Sequence, residues 1–140
     1  MAGRQAGRQA KTDAALEFVR RLLGCTKIRR RGLENPTGCI GTRIRKADQY
    51  VHPYEFGDDA SKKTGLWLAN LPKLRIDPAA RFSGRWVEWP RGSGNMVERW
   101  SNQTDSGQNR LGPSETRAAE RAVTYPGLAQ AMADQWGELL

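Results

Sequence analysis

The apolar residues of "TDAALEFVRRLLG", residues 12–24, fall where one face of a helix needs them. Ala15, Leu16, Val19, Leu22 and Leu23 recur at helical spacing, so the pattern predicts a helix over 12–23. Thr12 or Asp13 is placed to cap it, and Gly24 to stop it. "KIRRRGLENP" reads instead as a strand near 27–34 that ends at Pro36. A helix, a short turn and a strand in that order make one step of a wound α/β sheet. A second extended piece lies near 49–52, where Pro53 marks an edge or a terminus. A third, near 64–69, is centred on Leu66, Trp67 and Leu68. A fourth, near 85–89, places Trp86 and Glu88 on one face and Val87 and Trp89 on the other. "YPGLAQAMADQWGELL" predicts a closing helix over 126–137. Pro126 suits its first turn, and Leu128, Ala131, Met132, Gln135 and Trp136 share a stripe.

Elsewhere the pattern fades. "AGRQAGRQA", residues 2–10, is a polar repeat that suits either a disordered arm or a helical lead-in. "TGCIGTRIRK" suits a loop or a short helix. Residues 90–113 are rich in Gly, Ser and Asn and poor in apolar positions, which predicts a long, irregular, mobile loop. The expected division is thus a basic lead-in over 1–11 and one partial domain over 12–140.

Charge is distributed unevenly. Residues 1–46 hold 12 Lys/Arg against 3 Asp/Glu, whereas 47–140 hold 11 against 12. The net +8 of the chain therefore belongs to its first third, which suits a polyanion such as nucleic acid. A solvated basic tail with a few surface arginines explains the same numbers. Charged residues reach 27% and hydrophobic ones only 38%, which suggests incomplete packing. Five tryptophans argue against full disorder.

Two cysteines, Cys25 and Cys39, form no CxxC pair, and His52 is the one histidine, so a zinc site lacks ligands. His52, beside Pro53, suits a packed or surface imidazole better than a catalyst. The N-terminus has no apolar core of a signal peptide, and no run is long enough to span a membrane. A cytoplasmic setting with free thiols is the expectation.

Glu34, Asn35 and Pro36 form the most distinctive polar cluster. A carboxylate at the carboxyl end of a strand is placed to protonate or hydrogen-bond a ring nitrogen. A neighbouring amide can hold an exocyclic group, and the proline keeps Asn35 out of helical geometry. A plain strand-to-loop turn, with Asn making local hydrogen bonds, accounts for the same residues. Arg29, Arg30 and Arg31 can meet phosphates, or one of them can pair with Glu34. Trp86 and Trp89 suit base stacking or core anchoring.

Four blocks in order, "RRRGLENPTG", "RKADQYVHPYEFGD", "KKTGLWLANLPKL" and "RAVTYPGLAQAMADQWG", resemble a family of bacteriophage and prophage proteins described as DNA cytosine methyltransferase-like, or site-specific DNA methylases. The resemblance covers roughly residues 12 to 137. It implies an α/β fold, the C-terminal half of a Rossmann-like methyltransferase sheet that uses S-adenosylmethionine, and double-stranded DNA as partner. It also implies that Glu34, Asn35 and Pro36 form the catalytic turn, with Glu34 holding a flipped cytosine. In cytosine C5 methyltransferases the similar motif is Glu-Asn-Val, so Pro36 departs from it. Lys62 or Lys63 resembles one basic position of a Gln-x-Arg-x-Arg strand, and Gly65 stands where a second basic residue is needed. Arg29, Arg30, Arg31, Arg43, Arg45, Lys46, Lys62 and Lys63 are the expected nucleic-acid contacts.

The glycine-rich turn for the cofactor and the Pro-Cys nucleophile loop do not occur in the sequence. The resemblance therefore implies the C-terminal half of such a protein, either left by truncation or made as a separate chain with an N-terminal partner chain that carries both. Two other readings remain open: a non-enzymatic DNA-binding or regulatory remnant, and a different base-modifying reaction on the same fold.

Overall fold

The computed structural model describes residues 2–139. It is a mixed α/β structure of two compact units with small sheets. Unit 1 comprises the chain up to Tyr50 together with Thr64–Lys73, and unit 2 comprises Val51–Lys63 and the chain from Leu74 onward.

Unit 1 begins with α1, Ala2–Leu23, ten residues longer than the hydrophobic pattern predicts. Its first half is rich in Ala, Gln and Arg, strong helix formers that outweigh Gly3 and Gly7. Thr12 and Asp13 consequently lie inside the helix rather than capping it. The Thr12 hydroxyl donates back to the Arg8 carbonyl at 3.0 Å, and the Asp13 carboxylate accepts from Gln9 at 2.9 Å. Gly24 ends the helix as expected, its N–H reaching the Arg20 carbonyl at 2.9 Å.

The first strand is displaced. β1 spans Arg31–Pro36 rather than 27–34, and residues 27–30 are turns and bends. The three arginines thus do not form one alternating strand face. Only Arg31 belongs to β1, and its guanidinium folds back onto the Leu23 carbonyl at 2.9 Å and onto the Ile28 carbonyl. These bonds satisfy the end of α1 and the turn after it, where carbonyls would otherwise lack partners. A short α2, Ile40–Arg43, follows, then β2, Gln49–Val51, whose last residue belongs to unit 2.

β3, Thr64–Ala69, is the central strand of a sheet ordered β1-β3-β2. β1 and β3 run antiparallel, with Leu33 opposite Trp67 and Glu34 opposite Leu66. The parallel wound step suggested by the helix–turn–strand order is therefore replaced by antiparallel pairing, and no Rossmann-like sheet forms among the described residues. Pro36 is tolerated because β1 is an edge strand and Pro36 is its last residue.

The core of unit 1 is Leu16, Ile40 and Trp67, with Val19, Leu23, Leu33, Ile44 and Ala47 packed around them. Trp67 is 1% exposed, and its indole N–H donates to the Arg45 carbonyl at 2.8 Å. Gly65 makes room for that ring. A Cβ at residue 65 would stand 2.8 Å from the Trp67 six-membered ring and 3.2 Å from the Ala47 methyl. The glycine that breaks the basic pattern of the strand is thus a packing requirement.

Unit 2 contains a 3-10 turn over Pro53–Phe56, another over Pro78–Ala80, and a hairpin of β4, Arg85–Glu88, and β5, Met96–Arg99. β5 lies inside the segment predicted to be an irregular loop. Its four residues carry too little apolar pattern to be seen, and backbone pairing with β4 makes the strand. The remainder of that segment is also tied down: Gln103 bridges Asn109, and Trp100 is buried. A short α3, Arg117–Ala122, precedes α4, Pro126–Gly137, which matches the predicted closing helix. Its buried residue is Leu128, and Ala131, Met132, Gln135 and Trp136 are half-buried beside it, as the stripe requires. Among the described residues no helix is long and apolar enough to cross a membrane.

Candidate functional site

Glu34, Asn35 and Pro36, expected as a turn at a strand end, are themselves the last three residues of β1, paired with Leu66, Gly65 and Thr64 of β3. Successive strand residues face opposite sides. Leu33 belongs to the core cluster with Trp67, so Glu34 points to the other face, beside Leu66. All three residues are half-buried. The Asn35 amide donates to the Pro36 carbonyl at 2.9 Å and stiffens the exit from the strand. Among the described residues the Glu34 carboxylate has no hydrogen-bond or ion-pair partner. Arg31, the strand's own arginine, is occupied by the Leu23 and Ile28 carbonyls. A half-buried carboxylate without a partner in the fold keeps its acceptor oxygens available to a ligand.

The basic residues singled out by the sequence divide sharply. Arg43 pairs with Asp13 at 3.1 Å, and its carbonyl accepts from Arg20. Arg45 pairs with Asp48 at 3.0 Å and reaches the Leu68 carbonyl at 3.3 Å. Burial alone would push the Asp48 carboxyl up. The Leu68 N–H, the Arg45 guanidinium and the more distant Lys73 overcome it and hold the group below its ordinary value. Arg30 lines a cavity of about 240 Å³ with Leu22, Leu23, Ile28 and Leu33. Arg29 and Lys46 are exposed. Lys62 and Lys63 belong to unit 2, where the Lys62 ammonium donates to the Arg121 carbonyl at 2.8 Å. The expected DNA contacts are therefore not one patch within one unit.

Cys25 is half-buried and Cys39 exposed, both as free thiols. Cys39 precedes α2 and its carbonyl accepts from the Thr42 hydroxyl at 3.1 Å. Among the described residues no cluster of His, Cys, Asp and Glu could hold a metal ion. One cavity of unit 1 is apolar apart from two arginines and contains no carboxylate to meet the ribose hydroxyls or the positive sulfonium of S-adenosylmethionine.

Unit 2 contains groupings that sequence patterns did not signal. The rings of His52, Tyr54 and Trp100 stack in series, with centroids 4.9 Å and 3.9 Å apart. The Arg81 guanidinium lies over both Tyr54 and Trp100 and forms a two-pronged pair with Glu98, at 2.6 and 3.0 Å. His52 Nδ1 lies 3.3 Å from the Ser61 hydroxyl, but Glu55 accepts from the His52 backbone N–H rather than from the ring. The pair therefore lacks the oriented carboxylate of a nucleophilic triad. Burial pushes the His52 pKa down, assisted by Lys63 and opposed by Glu55. Burial of the ring therefore favours its neutral form. Trp86 lies on the outer face of the hairpin, 62% exposed, whereas Trp100 anchors the unit.

The chain matches no family model, no curated protein and no solved structure.

Proposed function

We propose that this chain is the base-holding part of a DNA cytosine methyltransferase-like protein. The observation that carries the reading is the unpartnered, half-buried Glu34 carboxylate at the carboxyl end of β1, beside an amide already fixed to the Pro36 carbonyl. A flipped cytosine presents a ring nitrogen that a carboxyl group can hydrogen-bond or protonate, and Glu34 has its oxygens available for it. Arg29 and Lys46, exposed in the same unit, supply positive charge for the DNA backbone. The resemblance to phage methyltransferase-like proteins supports a role for this geometry in methyl transfer. The thiolate nucleophile and the S-adenosylmethionine pocket come from residues outside this chain. The unpaired edge of β1 offers a place for further strands.

The test is methyl transfer from labelled S-adenosylmethionine to duplex DNA. The chain alone leaves the DNA unlabelled. Added to a polypeptide from an adjacent reading frame that carries a Pro-Cys loop and a glycine-rich turn, it supports incorporation. Glu34→Gln then lowers the rate by roughly a hundred- to ten-thousand-fold, as expected for a lost acid/base group. Incorporation by the chain alone, abolished by Cys25→Ser or Cys39→Ser, sinks the split assignment. Failure of every such pairing sinks the methyltransferase reading.

A further inference from the structure

Unit 2 contains a cleft of about 580 Å³ at the base of the β4–β5 hairpin, lined by three arginines and two serines. Arg85 and Arg99 are directly opposed across the hairpin, so their side chains share a face. Like charges placed opposite each other in a strand pair are destabilising. The loop after β5 holds them there. Arg85 donates to the carbonyls of Trp100 and Gln103, both at 2.8 Å, and meets Asp105 at 3.2 Å. Arg99 donates through its Nε to the Asp105 carbonyl at 3.0 Å. Arg110 joins them, its Nε on the Gln103 carbonyl at 2.8 Å and its side chain exposed. Gly107, at φ 87°, lets the loop close over Arg99: a Cβ there would lie 3.1 Å from the guanidinium carbon.

Carbonyls fix these guanidinium groups without neutralising them. Asp105 offsets Arg85, and Asp59, which accepts from the Ser101 N–H at 3.0 Å, is the one carboxylate among the described residues that lines the cleft. The cleft therefore remains net positive. Ser83 and Ser101 add hydroxyls to the wall, and Phe82, 40% exposed, adds an aromatic surface.

We propose that this cleft binds the sugar–phosphate backbone of a nucleic acid, with a base against Phe82. Arg99 already gives Nε and Nη1 to the Asp105 and Glu98 carbonyls, so its Nη2 and the terminal nitrogens of Arg110 are the donors left for phosphate oxygens, serine hydroxyls suit the same acceptors, and an exposed ring stacks any base. A lone inorganic anion would leave most of a cleft this size empty. The proposal is independent of methyl transfer and of Glu34, because it rests on residues of unit 2 alone.

The test uses the full chain and a short fluorescein-labelled oligonucleotide, with binding read by anisotropy over a salt series. Arg99→Gln and Arg110→Gln each weaken binding by about tenfold, the loss of one charge-assisted hydrogen bond. Each also reduces the salt slope by about one. Arg110→Lys, which keeps the charge, recovers the slope. Arg91→Gln, an identical charge change in the hairpin turn outside the cleft, leaves both quantities unchanged. Arg110 has an exposed side chain and a single carbonyl contact, so its variant folds even if Arg99→Gln does not. Unchanged affinity in folded Arg110→Gln overturns the proposal. So does competition by inorganic phosphate or phosphatidylserine vesicles as effective as that of unlabelled oligonucleotide, since the cleft would then recognise anionic charge alone.

Discussion

Unit 1 and unit 2 are organised by different forces. Unit 1 lays a helix on a sheet and closes over Leu16, Ile40 and Trp67. Unit 2 also buries apolar side chains, Trp100 and Leu128 among them, but its long connections are held by directed polar bonds. Asn102 exchanges two hydrogen bonds with the Ser61 backbone, Ser101 is fixed twice by Asp59, and Glu98 grips Arg81 and the Gly84 N–H. The contrast bears on how charge should be read. The first third of the chain carries nearly all the net positive charge, yet Arg43 and Arg45 are offset by the carboxylates of Asp13 and Asp48 within unit 1. Unit 2 has no comparable excess of charge and still concentrates three arginines in one cleft. Local arrangement, not regional composition, decides where an anion can be held.

The comparison is challenged most strongly at Trp67. If unit 1 depends on its apolar cluster, Trp67→Ala costs about 3–5 kcal/mol, the usual penalty for deleting a buried aromatic ring. Denaturant unfolding measures the loss, and hydrogen exchange locates it. Deprotection is expected to be greatest in β1 and β3. Equal deprotection of the β4–β5 hairpin would mean that the two units do not differ in what holds them.

Glu98 provides the corresponding test in unit 2. Its carboxyl is held below the ordinary glutamate value, first by the hydrogen bond from Arg81, against the effect of burial, and then by the Gly84 N–H. Glu98→Gln is expected to cost about 1–2 kcal/mol, less than a buried charged hydrogen bond because Arg81 is partly solvated. A depressed carboxyl pKa stabilises the fold above the unfolded value and loses that contribution as pH falls through the folded one. Wild-type stability should therefore decline in acid below the ordinary glutamate range, and the variant should lack that component. Denaturant midpoints across pH measure it.

A smaller effect belongs to His52. Burial lowers its pKa, so the folded state prefers the neutral ring. That preference contributes above the ordinary histidine value and fades as pH falls from that value through the lowered one. His52→Gln is expected to flatten stability over this window, which lies above the one set by Glu98. An unchanged pH profile would remove the imidazole from the account of unit 2.

The smallest effect is expected at Glu34. Its carboxylate has no partner among the described residues, so Glu34→Gln should change stability by less than about 0.5 kcal/mol. A loss as large as that of Glu98→Gln would mean that Glu34 supports the fold and is not held for a ligand.

Parts of both units are legible in the amino-acid sequence. The helix over 12–23 and the closing helix are readable because burial of one face imposes a period on apolar residues. β3 is readable for a similar reason: a compact apolar run bounded by polar residues marks a buried strand. Glu34, Asn35 and Pro36 are legible as a polar cluster near a strand end, but they are paired strand rather than the expected turn, and the pattern starts the strand four residues early. β5 is not legible, because Met96–Arg99 owes its conformation to hydrogen bonds with β4 that leave no mark on its composition. The arginine cleft is hidden for the same reason. Arg85, Arg99 and Arg110 are far apart in the chain, and only the strand register and the loop carbonyls bring them together.

The sequence by itself thus determined which segments have a face to bury, where the net charge lies and which polar cluster stands out. Tertiary structure alone decided that β1 and β3 run antiparallel, that Gly65 serves the Trp67 ring, and that Glu34 is without a partner among the described residues. The physical reason is one of range. Periodicity and turn chemistry are local and are written in neighbouring residues, whereas pairing direction, close packing and the satisfaction of a charge depend on groups that folding brings from elsewhere in the chain.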